Sequence, residues 1–240
     1  MERGNVANIF GSAEGLIAVG IVAHTDDESL GAGGTLARLK SLGWTTYLIA
    51  VSDGVASRKS YNSGHKLQRD AAAHRAAEIL GANWLQTGTL PDNALDSVPM
   101  LKIVEQIHEP LKQIRPDLVL THCATDLNID HRRVAEAVRV VFRPEPNRSQ
   151  PMAILAFEVV SSTHWSHGLV GSDFSPNVFV DISSHYDRKV EALYCYRDEM
   201  RPWPHARSME AVDALSLFRG STAGFRRAEA FELVFAGFGG

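Results

Sequence analysis

Leu16-Ile17-Ala18-Val19-Gly20-Ile21-Val22-Ala23-His24-Thr25-Asp26-Asp27-Glu28 carries an uncharged apolar run straight into an imidazole and three carboxyl groups. The run is too continuous for a half-solvated strand and reads as one buried on both faces, the habit of parallel sheets. A buried strand that ends in His and Asp puts those side chains at the mouth of the sheet, where α/β proteins bind ligands. Further along, Leu118-Val119-Leu120 leads to Asp126-Leu127-Asn128-Ile129-Asp130-His131, which opens a helical pattern. Either cluster alone reads better as a charged first turn of a helix. Two of them, each just after a buried strand, point instead to one divalent metal site with a base beside it.

Outward from these stretches, apolar runs at 16–23, 47–51, 118–121, 154–160 and 178–180 read as strands. Helical spacing fills 30–42, 68–80, 100–114 and 131–142, with Gly43 and Gly81 as stops. The alternation predicts an α/β fold, a Rossmann-like three-layer sandwich around a mostly parallel central sheet. The last third, with a strand at 178–182, helices near 185–199 and 208–219 and a strand at 228–235, is expected to complete one domain spanning 1–240. The polar segment 53–64 reads as a loop over the strand ends, and the Pro-rich 143–148 as a second connection. Gly31-Ala32-Gly33-Gly34 falls inside the first helix, not at the strand-to-helix turn, and so does not match a dinucleotide-binding fingerprint.

At 240 residues and 45% hydrophobic content the chain can bury a full core, and its formal charge of -4 without a Lys/Arg run argues against nucleic acid or anionic membrane as partner. A small substrate fits better. No stretch approaches a membrane span and the start lacks a signal-type segment, so a cytoplasmic protein is expected. Self-association into a homo-oligomer is left open. The two cysteines, Cys123 and Cys195, form no disulfide framework, and Cys123 beside His122 reads as a small buried residue before it reads as a ligand.

A catalytic zinc keeps three protein ligands and one open position, and His24, Asp27 and His131 supply that set. Asp26 is then a spare carboxylate able to take a proton from water. Asp130, just before His131, is expected to hold that imidazole by hydrogen bonding to it or to a neighbouring group. Glu28 reads as a favourable charge at the start of the helix. To protonate a leaving amine, His122 and His205 are candidates; His205 is preferred because it lies on a Pro-flanked loop.

At these residues the sequence resembles the PIG-L/LmbE-like family of zinc-dependent N-acetylsugar deacetylases, whose Ala-His-Pro-Asp-Asp-Glu signature stands here as Ala23-His24-Thr25-Asp26-Asp27-Glu28 and whose second signature ends here in Asp130-His131. Weaker matches extend over Gly33-Gly34, Arg69, Pro91-Asp92, Glu158, Lys189 to Tyr196, Pro204 to Ser208 and Arg219 to Phe231. The resemblance implies zinc, or another divalent metal, on His24, Asp27 and His131, with Asp26 as general base and Arg69 and Asp92 as sugar-binding residues. It implies an enzyme that removes an N-acetyl group from an acetamido sugar or sugar conjugate, free, nucleotide-linked or part of a glycan. Three departures stand out: Thr25 replaces Pro, Ala72 replaces a Glu that supports Arg69, and Asn128 replaces a His that stabilises the oxyanion or protonates the leaving amine. As an amide, Asn128 can donate a hydrogen bond but cannot shuttle a proton. The alternatives are an amidase acting on another sugar-linked amide, like the mycothiol-conjugate amidases, and a nucleotide-binding module without hydrolysis.

Overall fold

A computed structural model describes residues 15–54, 63–145, 150–169 and 171–237. The opening apolar run forms β1 (Ile17–Val22), buried from its second residue on, and the charged residues after it enter α1 (Asp27–Ser41) at once. The chain continues through β2 (Thr45–Ser52), α2 (Ser63–Leu80), β3 (Asn83–Leu90), α3 (Met100–His108), β4 (Leu118–His122), α4 (Ile129–Val141) and β5 (Ala153–Phe157). It ends with β6 (Val178–Asp181), α5 (Tyr186–Cys195), α6 (Met209–Ala223) and β7 (Ala228–Ala236). The seven strands order as β3-β2-β1-β4-β5-β7-β6. Strands β1 to β5 run parallel, and β7 is antiparallel to both β5 and β6. This is the expected α/β sandwich with a mostly parallel sheet.

Topology puts the two clusters together. From β1 the chain winds outward to β2 and β3, then crosses back to β4 on β1's other side, so β1 and β4 flank the point where the winding reverses. Open α/β sheets bind ligands at the carboxyl ends of the strands at such a point. His24 follows β1 and Asp126 to His131 follows β4.

Each face of the sheet has its own core. Leu30, Leu36, Leu39, Trp44, Ala73, Leu80, Leu193 and Tyr196 pack on one side, and Ile103, Ile107, Val134, Val138 and Leu95 on the other. Helix α1 is buried along nearly its whole length because α5 covers the face the sheet does not. That crowding explains Gly31-Ala32-Gly33-Gly34: a Cβ on Gly31 would sit 2.2 Å from Phe157 Cδ2, and one on Gly34 would sit 2.8 Å from Ile182 Cβ. Beside the glycines the Lys189 ammonium donates to the Leu30 carbonyl and to Glu229, whose carboxylate accepts the Gly34 and Thr35 N–H groups. The buried pair is fully bonded, the condition under which such a pair is tolerated.

Strand β3 was not expected from the sequence. Asn83-Trp84-Leu85-Gln86-Thr87-Gly88-Thr89-Leu90 lies at the edge of the sheet and is only partly buried, so it lacks the apolar run that marks the inner strands. The helix expected at 100–114 ends at His108 and tightens into a 3-10 turn over Glu109–Leu111, where Pro110 removes a backbone donor. Much of the loop expected at 53–64, and part of 143–148, falls outside the described residues.

Replacing Gly31 by Ala is expected to overpack α1 against Phe157 and lower stability by about 1–3 kcal/mol in denaturant melts. An unchanged midpoint would show that the helix does not lie this close to β5.

Candidate metal centre

Three buried side chains meet at the ends of β1 and β4. Asp27, in the first turn of α1, turns Oδ2 toward His24, with 3.3 Å to its Nδ1, and toward His131, with 3.4 Å to its Nε2. His24, Asp27 and His131 therefore bring one donor atom each to a common point. His131 Nε2 and Asp27 Oδ1 are buried with no hydrogen-bond partner among the described residues. Leaving such atoms unbonded costs about 1–3 kcal/mol each, and a divalent cation shared by two imidazoles and a carboxylate removes that cost. The residues present thus fit a metal, and the donor set suits zinc.

The far side of each imidazole is held by a carboxylate. Asp130 Oδ2 lies 3.1 Å from His24 Nε2, and Asp126 Oδ2 lies 3.1 Å from His131 Nδ1. These pairings fix each ring's orientation and leave its inner nitrogen for the cation. Asp130 is itself fixed by the N–H groups of Asn93 and Leu95, and Asp126 by the hydroxyls of Ser162 and Thr163 and the N–H of Asn128. The sequence pointed to Asp130 as the support of the His131 imidazole or of a neighbouring group; it is the His24 ring that Asp130 holds, and Asp126, given no task by the sequence, holds His131.

Without a cation these carboxylates favour protons in its place. Burial works to lower the pKa of His131, but Asp27 and Asp126 overcome it and lift it to about 9. His24 is raised well above its usual range: burial opposes, and Asp130, Asp27 and Asp92 prevail. His122 behaves oppositely. Burial first, and then the neighbouring His131, push it down to about 3, and its Nε2 accepts the Ala23 N–H at 2.8 Å. Its ring stacks on His131 with centroids 3.9 Å apart, so it serves as a neutral wall behind that imidazole. Cys123 bonds Thr125 and Glu232, and burial pushes its thiol up to about 11.

Asp26 is the spare acid. Its backbone sits at φ 138, a strained position for a residue with a Cβ. Glu28 holds it there, accepting the Asp26 N–H at 2.9 Å while the Ser29 and Tyr196 hydroxyls fix the same carboxyl group. Burial pushes Glu28 up to about 7 against those three hydrogen bonds. Two guanidinium groups grip the Asp26 side chain: Arg69 Nη2 is 3.0 Å from Oδ1 and Arg207 Nη1 is 3.0 Å from Oδ2. Arg69 is steadied by the Thr25 hydroxyl at 2.8 Å and by Glu199 at 2.7 Å. Thr25 and Glu199 thus hold Arg69 with an alanine at position 72.

A cleft of about 220 Å³ opens over this centre, lined by His24, Asp26, Gly54, Arg69, Asp92, Asn93, Asn128, Glu199 and Arg207. Asp92 Oδ1 is 3.2 Å from His24 Nε2, so it faces that ring as well as the cleft. Asn128 caps α4, its Oδ1 accepting the Asp130 N–H, and its Nδ2 reaches Asn93 Oδ1 at 3.3 Å. His205 is not among the lining residues: its Nδ1 accepts the Arg207 N–H and its ring meets the edge of Trp165 at 6.0 Å. From the expected block Pro204 to Ser208 it is Arg207 that enters the cleft. No local spacing distinguishes the two, because the contact with Asp26 is made across the whole chain.

Metal uptake must displace protons from both His131 and His24, so affinity is expected to rise by at least about tenfold per pH unit from 6 to 8, the His131 contribution levelling off near 9. A flat titration would remove His131 from the ligand set. Asp130→Asn is expected to weaken metal binding by about 10- to 100-fold in a chelator competition.

Comparisons with known proteins bear on the same residues. A model of the PIG-L family, GlcNAc-PI de-N-acetylase, matches residues 19–142, more than half of the chain and all of the residues from His24 to His131. The diacetylchitobiose deacetylase of Thermococcus kodakarensis is 27% identical over 232 residues, covering 89% of this chain and 81% of that one. The 4-oxalmesaconate hydratase of Pseudomonas putida is 25% identical over 202 residues, covering 78% and 76%. The crystal structure of a conserved protein from Thermus thermophilus has the same fold, with a TM-score of 0.72 at 24% identity over 94% of this chain and 97% of that one. On the family match, with its two clusters joined at the ends of β1 and β4, the chain belongs to the PIG-L family.

Proposed function

We propose that this chain is a metal-dependent hydrolase that removes the acetyl group from an acetamido sugar or sugar conjugate, releasing acetate and a free amine. The observation that carries the reading is Asp26: a carboxylate held in a strained backbone, next to a metal-competent triad, at the floor of a polar cleft. The similarity to a diacetylchitobiose deacetylase agrees with it.

His24, Asp27 and His131 would hold the ion, zinc by its donor set, which when bound polarises the acyl carbonyl and acidifies water. The chain's own residues do the rest. Asp26 accepts a proton from water as the water oxygen attacks the acetyl carbon. Arg69 and Arg207 keep that carboxylate aimed, each from one side. Asn128, its oxygen fixed by the α4 cap, offers an amide N–H to the carbonyl oxygen as charge develops there. When the C–N bond breaks, protonated Asp26 returns the proton to the amine nitrogen. No histidine is needed for that transfer: His122 is buried and neutral, and His205 lies outside the cleft. Arg69, Asp92, Asn93 and Glu199 present donors and acceptors to sugar hydroxyls.

The similarity to a hydratase supports a second reading, hydration of an unsaturated carboxylic acid, and two cleft guanidinium groups suit an anionic substrate. The two are separated by product. With zinc supplied, the purified protein is expected to release acetate from N-acetylglucosamine or N,N′-diacetylchitobiose, and a chelator is expected to stop it. Loss of the alkene absorbance of an unsaturated dicarboxylate, with no acetate from either sugar, would favour the hydratase. Asp26→Asn is expected to lower turnover by about 10²- to 10⁴-fold with metal content retained. Unaltered turnover would remove Asp26 as base.

A further inference from the structure

The catalytic cleft is small. Its volume of about 220 Å³ lies below the roughly 300–1,000 Å³ of pockets that enclose a drug-sized ligand, so any larger ligand must rest partly outside it. Its walls are almost wholly polar side chains, suited to the hydroxyls of one sugar ring. The next surface outward is different in kind. From Asp26 the contacts run to Arg207, from Arg207 to His205, and from His205 to Trp165. Trp165 is 45% exposed, and Trp203, in the same turn as His205, is 62% exposed. An indole offers a large apolar face, and Trp165, half open to water and in ring contact with His205, is a surface that a ligand can cover.

Both tryptophans stand on loops tied to the centre. Trp165 ends the short 3-10 turn Thr163–Trp165, whose Thr163 hydroxyl bonds Asp126, the carboxylate behind His131. The turn that carries Trp203 is closed by the Arg201 N–H on the Arg207 carbonyl at 3.1 Å and by the His205 N–H on the Pro202 carbonyl at 3.1 Å. Arg207 also donates to the Ser161 hydroxyl at 2.7 Å, joining the two loops to each other. The rim is therefore positioned by the same bonds that position Asp26 and His131.

We infer that Trp165, Trp203 and His205 form an outer subsite for a second sugar ring, so that the preferred substrate is an oligosaccharide or glycoconjugate in which another pyranose follows the acetamido sugar. A pyranose fits because it has apolar C–H faces to lie on an indole and hydroxyls at its edge for a hydrogen bond to His205 Nε2, which has no partner among the described residues. The inference deepens the deacetylase reading and rests on it for which ring occupies the inner cleft. It also gives His205 a binding role in place of the proton-transfer role expected from the sequence.

The test is a binding measurement that needs no turnover. In zinc-loaded Asp26→Asn protein, calorimetry is expected to give a lower Kd for N,N′-diacetylchitobiose than for N-acetylglucosamine. Adding Trp165→Ala should raise the disaccharide Kd by about tenfold, the scale of one lost aromatic stack, and the monosaccharide Kd by less than about twofold; Trp165→Phe should restore most of the difference. Equal binding of the two sugars, or equal losses for both in Trp165→Ala, overturns the subsite. Preferential disaccharide binding in a protein that releases no acetate upholds the subsite and overturns the deacetylase reading instead.

Discussion

The pairing of the His24 and His131 imidazoles each with a carboxylate behind it is the constraint on which the rest of the centre depends. Asp130 behind His24 and Asp126 behind His131 decide which ring nitrogen faces outward to protein and which inward to Asp27. A ring free to rotate would share its donor between those directions, and the three inner atoms would not converge. The carboxylates are in turn held by backbone N–H groups and hydroxyls from Asn93, Leu95, Asn128, Ser162 and Thr163, drawn from three separate connections. The site is thus as rigid as the loops that meet over the sheet.

A second constraint acts on Asp26. A non-glycine residue at φ 138 costs about 1–3 kcal/mol and persists only where its surroundings over-determine it. Here Glu28 and Tyr196 fix the backbone from below, and Arg69 and Arg207 fix the side chain from either side. The strained backbone lets Asp26 face the cleft while its neighbour Asp27 turns toward His24 and His131.

Much of this was legible in the chain because it is local. His24, Asp26 and Asp27 adjoin one strand end, Asp130 and His131 adjoin another, and parallel topology brings such ends together without further information. The inner strands were legible because burial on both faces leaves an uninterrupted apolar run. Edge strand β3, half-buried and polar, carries no such mark. Arg207, Glu199 and Asn93 were missed for a related reason: they reach the cleft from loops, and a lone Arg or Glu in a loop looks the same whether it is solvated or pinned in a buried ion pair. His205 was preferred over His122 because it lies on a Pro-flanked loop, while only the fold shows that Arg207, two residues on, is the side chain of that loop that lines the cleft.

Anomalous diffraction at the zinc edge from crystals grown with the metal addresses the centre most directly. The account predicts one peak within bonding distance of His24 Nδ1, His131 Nε2 and an Asp27 oxygen, with Asp26 not bound. A peak on His24 Nε2 with Asp92 and Asp130, the other grouping of donors these residues offer, or no peak at either place, would contradict it.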